Sequence, residues 1–181
     1  MTTIHTVGHG NRTIEEFVAL LKQAEIGCLV DVRANPASRR HPHFARAALE
    51  QSLSAAGIHY VWEGRALGGR RKLALDTPHA ALKSPGFRAY ADHMGSKEFQ
   101  EGVTRLIGLG RGVRAAVMCA ESLPSECHRS LISDYLVARG EQVAHLIEAG
   151  AVEHHRLNPL ARSLDGGLVY DGGTQGELKL K

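Results

Sequence analysis

No run of about 18 apolar residues occurs in this 181-residue chain, which excludes a membrane-spanning helix. The opening MTTIHTVGHG has neither a basic stretch nor an apolar core, so no secretory signal is expected. Cysteine is scarce, at three residues. That odd number, without a secretory signal, argues against a disulfide scaffold and points to a reducing, cytoplasmic setting. There is no internal repeat, no low-complexity tract and no coiled-coil heptad, so neither a repeat array nor a helical oligomer is indicated.

Acidic residues are almost missing from one segment. Between Arg33 and Lys72 stand eight basic residues against only Glu50 and Glu63, whereas from Leu73 onward 12 basic residues face 13 acidic ones. Arginine supplies 16 of the 22 basic residues. This local positive field suits an anionic small molecule or a nucleic acid, and its bland alternative is a solvated face.

What is present is an alternating pattern, with 43% apolar residues to build a core. Apolar runs bounded by turns predict strands at Ile4–Val7, Cys28–Val32, His59–Trp62, Ala115–Cys119 and Val143–Ile147. Thr13 and Glu16 make a capping box for a helix that stops at Gly27. Further helices are predicted at Phe44–Ala56, Phe87–His93, Ser96–Leu109 and Ser125–Arg139. The order implies an α/β, Rossmann-like three-layer domain with a mainly parallel sheet. One domain is expected over residues 1–163, followed by a partly flexible tail over 164–181 with two Gly pairs. The Gly-, Arg- and Pro-rich Arg65–Pro85 stretch is expected to be a long insertion or active-site loop.

Ligands of open parallel sheets bind beyond the carboxyl ends of the strands. Four predicted strand ends carry polar residues: Gly8-His9-Gly10, then Asp31 to Arg39, then Glu63 with Leu67-Gly68-Gly69, and last Cys119 to Arg129. Cys119 ends an apolar strand shortly before a helix N-terminus, a setting that lowers a thiol pKa and cradles an oxyanion. Cys127 and His128 are expected on the inward side of that helix's first turn, with Arg129 on its flank.

Cys119, Cys127 and His128 admit three chemistries. Cys119 could be a thiolate nucleophile, with Arg129 and Arg33 holding a phosphate or carboxylate. The three could instead bind Zn or Fe, together with Glu121 or His9, although seven residues between the cysteines exceed the short knuckle spacing. A redox pair needs a close approach that spacing alone does not establish. The structural alternative is that Cys119 is simply packed. Asp31, amid valines, needs a partner, and Arg33 on the same face supplies one; the carboxylate is then a structural ion pair, a general base or a metal ligand. His9, between glycines, resembles a loop approaching a ligand. Ser38 can donate to an anion.

Together, TVGHGNRT (6–13), VDVRANPASRR (30–40) with Phe44 downstream, Tyr60 with Leu67-Gly68-Gly69, and MCAESLPSECHR (118–129) resemble the DUF488 family of small bacterial and archaeal proteins. The resemblance spans about residues 4–147 and is most specific at Cys119-Ala120-Glu121 with Cys127-His128-Arg129. It implies the α/β fold and the site; the family's name assigns no reaction.

The site expected from these features binds or processes a phosphate-bearing ligand, a nucleotide or nucleic acid. Gly8, Arg33, Ser38, Arg39 and Arg129 would hold it. Cys119 would be nucleophile or ligand, Glu121 or Asp31 the acid–base group, and His9 or His128 the proton carrier. The alternatives are a metal-binding protein using Cys119, Cys127 and His128, or a non-catalytic nucleic-acid module with Phe44, Tyr60 and Trp62 as stacking groups. Apolar neighbours on their shared strand place Tyr60 and Trp62 in the core instead.

Overall fold

The computed structural model describes residues 1–172 of the chain. Five strands run parallel: β1 (Thr3–Gly8), β2 (Cys28–Asp31), β3 (His59–Trp62), β4 (Ala115–Cys119) and β5 (Gln142–Glu148). A sixth, β6 (Ala151–His154), lies antiparallel on β5, giving the order β3-β2-β4-β1-β5-β6. The sheet is the expected α/β type, with helices on both faces. β4 sits between β2 and β1, and all five of its residues are buried.

The helices divide between the faces as the direction of chain movement requires. The crossovers through α1 (Ile14–Gln23) and α2 (Arg46–Ala55) step one way along the sheet, and those through α5 (Lys97–Gly112) and α6 (Arg129–Ala138) step back. Right-handed crossovers then put the two sets on opposite faces. Phe17, Leu21, Leu49 and Leu53 pack with Leu29, Ala116 and Met118 on one face. Tyr90, Phe99, Leu106 and Leu131 pack with Val30, Val117 and Cys119 on the other. The period-2 alternation of a strand thus separates Asp31, beyond Leu29, from Cys119, beyond Val117. Helices α3 (Gly64–Leu67) and α4 (Pro85–Met94) belong to the long β3–β4 connection.

Local signals set most boundaries. The Thr13–Glu16 capping box forms, and Ser84 and Ser96 cap α4 and α5. Two expected helices start later than their periodicity suggests. Phe44 closes a 3-10 turn (Pro42–Phe44) ahead of α2. The Ser125–Arg139 stretch divides into a 3-10 turn (Pro124–Glu126) and α6, because Cys127 is extended and its sulfur accepts from the Arg129 N–H at 3.5 Å. No helix among the described residues is long and apolar enough to cross a membrane.

The segment beyond residue 163, expected as a tail, is in part a packed element. Strands β7 (Ala161–Leu164) and β8 (Gly167–Tyr170) form a hairpin about Asp165 and Gly166, both with positive φ as its two-residue turn requires. Tyr170 is fully buried, its carbonyl accepts from Ala81 N at 3.0 Å, and its hydroxyl donates to Asp134 Oδ2 at 2.9 Å. Residues 173–181 of the expected tail lie outside the described residues. Tyr170→Phe should lower the unfolding free energy by about 1–3 kcal/mol, since buried Asp134 loses a donor; urea denaturation followed by fluorescence of the single tryptophan, Trp62, measures it.

Candidate functional site

Cys119 ends β4, while Cys127 and His128 precede α6, and the fold brings the three together. All are buried, and one ligand atom from each lies within 4.8 Å of the others. Cys119 Sγ stands 4.0 Å from His128 Nδ1. His128 Nε2 lies 3.3 Å from the Val32 carbonyl, an acceptor, so the ring carries its proton on Nε2 and turns an Nδ1 lone pair toward the sulfurs. Burial pushes the His128 pKa down to about 4, which keeps the ring neutral. Gly69 leans over this ring: a Cβ there would lie 2.5 Å from Nδ1, so only glycine leaves that nitrogen open. The expected active-site loop therefore does reach the site.

The thiols are electrostatically unequal. The neighbouring Cys119 thiol is the main cause lowering Cys127; burial opposes it, and the Arg129 guanidinium assists. The Cys127 sulfur, burial and Glu121 together raise Cys119 far above a normal thiol. Glu121 Oε2 lies 3.0 Å from Cys119 Sγ. Burial pushes Glu121 up, yet the bonds from Cys119 and its own N–H prevail, and its pKa ends lowered.

Arg129 is not on the helix flank. Because α6 begins four residues later than expected, Arg129 falls on the inward side of its first turn and is 1% exposed. Its Nε donates to Cys127 Sγ at 3.2 Å and its Nη2 to the Glu121 carbonyl at 2.5 Å. Among the described residues it has no carboxylate partner. Gly8 exists for this contact: a Cβ there would fall on the Glu121 carbonyl oxygen and within 2.9 Å of Arg129 Nη2. The close approach at Gly8 is thus to the protein's own chain, while His9 and Gly10 border a cleft.

Asp31 faces the opposite side of the sheet edge from the cysteines. Its Oδ1 accepts from Arg33 N at 3.0 Å and Nε at 2.9 Å; its Oδ2 accepts from Arg33 Nη2 at 2.6 Å and the Tyr60 hydroxyl at 2.7 Å. Arg33 nevertheless lines two adjoining clefts. One, of about 350 Å³, contains Cys119, Glu121, Cys127 and His128 with Arg70 opposite. The other, of about 440 Å³, contains His9, Ser38 and Arg40. His9 stacks on Phe44 at 4.3 Å, and burial lowers its pKa to about 4. Ser38 Oγ accepts from His41 N at 2.9 Å. Arg39 is exposed and lines neither cleft. Glu63 is tied to Arg105 at 2.7 Å, away from both. Phe44 and Tyr60 are core residues, and Trp62 is half-buried beneath the Arg46 guanidinium, so the proposed stacking groups are taken. Sequence reasoning missed Arg70, whose signal was its place in the Gly/Arg-rich loop, and a buried polar group behind Arg129.

Residues 13–136 match the family model described as "Domain of unknown function DUF488". No curated protein and no solved structure matches the chain.

Asp31→Ala should destabilise the protein by about 3–5 kcal/mol, because it strands a buried guanidinium at the sheet edge. Urea denaturation of the variant checks this, and a change below about 1 kcal/mol would show that Arg33 reaches water once released.

Proposed function

The chain belongs to the DUF488 family, whose description assigns no reaction, and we propose that it binds one zinc or iron ion through Cys119, Cys127 and His128, beside a phosphate-bearing ligand. The convergence of two sulfurs and one imidazole nitrogen within 4.8 Å carries this proposal. Tetrahedral zinc separates two thiolate ligands by about 3.8 Å and a thiolate from an imidazole nitrogen by about 3.6 Å. The 4.0 Å between Cys119 Sγ and His128 Nδ1 needs only a small contraction. The donor set suits zinc or iron and disfavours magnesium or calcium. The Val32 carbonyl plays the outer partner that a ligating histidine ordinarily has, and the Arg129 N–H supports a thiolate.

Three protein ligands leave a fourth position, and all three residues line the smaller cleft. Such an ion activates water or polarises a phosphoryl or carbonyl oxygen. Glu121, beside Cys119, is placed to exchange a proton with a group there. Arg70 and Arg40, exposed and without carboxylate partners among the described residues, supply the positive rim for an anion. A metal-free thiolate at Cys127 is the second possibility, favoured by its 3.2 Å contact with Arg129.

Protein purified without chelator should carry, or take up on titration, one Zn(II) or Fe(II) per chain, and Cys119→Ser and Cys127→Ser should abolish it. Elemental analysis decides, and a wild type that takes up no metal would leave the thiolate. For the ligand, Arg70→Ala should weaken binding of a nucleoside monophosphate by about tenfold, the loss of one charge-assisted hydrogen bond. Titration calorimetry at 50 and 200 mM salt separates the sources. A single phosphate gives a shallow salt response, whereas an oligonucleotide held by six to ten phosphates loses about 10³–10⁵ in affinity.

A further inference from the structure

Behind Arg129, away from both clefts, the chain buries a second set of polar side chains. Thr6 on β1 and His145 on β5 are register partners, and both point to the α6 face. Arg129 Nη1 donates to Thr6 Oγ1 at 3.4 Å. Thr6 Oγ1 lies 2.7 Å from His145 Nδ1, His145 Nε2 lies 2.9 Å from His155 Nδ1, and His155 Nε2 lies 2.8 Å from Asp134 Oδ1. Asp134 is 2% exposed and also accepts from Asn158 N and the Tyr170 hydroxyl.

We propose that Thr6, His145, His155 and Asp134 form a one-way hydrogen-bond chain that positions Arg129 on the Cys127 sulfur and so sets how tightly the metal is held. The last clause rests on the metal site proposed above; the chain itself does not.

The ends determine the direction. A carboxylate only accepts, so His155 Nε2 carries a proton. With His155 neutral, its Nδ1 accepts from His145 Nε2–H. His145 Nδ1 then accepts from the Thr6 hydroxyl, which in turn accepts from the Arg129 guanidinium. Every donor and acceptor is used once, and burial pushes His145 down to about 4, so this ring is neutral at pH 7. The reverse arrangement requires a cationic His155, and it gives His145 Nδ1 the proton. Thr6, 1% exposed, would then have no acceptor for its hydroxyl among its partners, an unmet buried donor.

The consequence falls on Cys127. Arg129 reaches this sulfur through Nε while the Glu121 and Ser122 carbonyls hold Nη2 and Thr6 holds Nη1, so the hydroxyl is the contact that fixes the guanidinium plane from the inner side. Thr6 and Asp134 thus belong to the outer shell of the cluster, although neither touches it. Removing a group bonded directly to a metal ligand typically costs 10–100-fold in metal affinity, and Thr6, one bond further out through Arg129, should cost about three- to tenfold.

The test joins two readouts. In metal-free wild type at pH 7, long-range ¹H–¹⁵N spectra should show His145 and His155 as neutral Nε2–H tautomers. Zn(II) titration against a chromophoric chelator should then find Thr6→Val about three- to tenfold weaker than wild type, and Thr6→Ser close to wild type, with thermal melts confirming that the metal-free variants are folded. A cationic His155, or His145 protonated on Nδ1, overturns the direction whether or not any variant folds. A folded Thr6→Val with wild-type affinity overturns the positioning role. If wild type takes up no metal, the metal site fails by itself; the chain is then decided by the tautomers and by the Arg129 Nε–H resonance, which must shift in Thr6→Val and return in Thr6→Ser.

Discussion

A guanidinium has been put where water cannot reach it, and much of the site follows from that. Arg129, 1% exposed, has no carboxylate partner among the described residues, so its charge must be met by dipoles and by whatever negative charge the Cys127 sulfur carries. Carbonyls of Glu121 and Ser122 turn inward to it, which draws the 119–128 connection across the end of β1. Gly8 has no side chain because that connection lies on it, and the His9 and Gly10 N–H groups continue the β1–β4 ladder to Cys119 O and Ala120 O. Cys119 is thereby held at a fixed distance from Cys127.

The sheet edge carries a second, independent ionic device. Asp31 and Arg33 close on one another on the α1/α2 face, with the Tyr60 hydroxyl completing the carboxylate. The alternation that sends Asp31 one way and Cys119 the other keeps this carboxylate out of the sulfur cluster. Arg33 borders both clefts, as do Asn35, Ala120 and Glu121. Its charge is matched by Asp31, so it contributes directed N–H groups more than net field.

Much of this was legible residue by residue. The five parallel strands follow from short apolar runs, and the convergence of Cys119, Glu121, Cys127 and His128 follows from the rule that sites form beyond strand ends. What failed was local register. A periodic helix over Ser125–Arg139 puts Arg129 on the flank; one extended residue, Cys127, turns it inward. The hairpin was hidden by glycines read as slack, although Asp165-Gly166 is itself a turn signal. The chain from Thr6 to Asp134 could not be read at all. It depends on β1 lying beside β5, a pairing of residues 139 positions apart, and on His155 following an antiparallel edge strand that no periodicity announced.

The surplus of cations between Arg33 and Lys72 resolves once each is placed. Arg33 is spent on Asp31, Arg46 lies over Trp62, and Arg65 and Arg71 turn to Glu98. Arg39, Arg40, Arg70 and Lys72 are exposed without such partners among the described residues. Arg70 borders the smaller cleft and Arg40 the other, while Glu121 lines both and Glu126 the smaller one. Half of the surplus along this segment is therefore spent within the fold, and of the other half Arg40 and Arg70 each border a cleft.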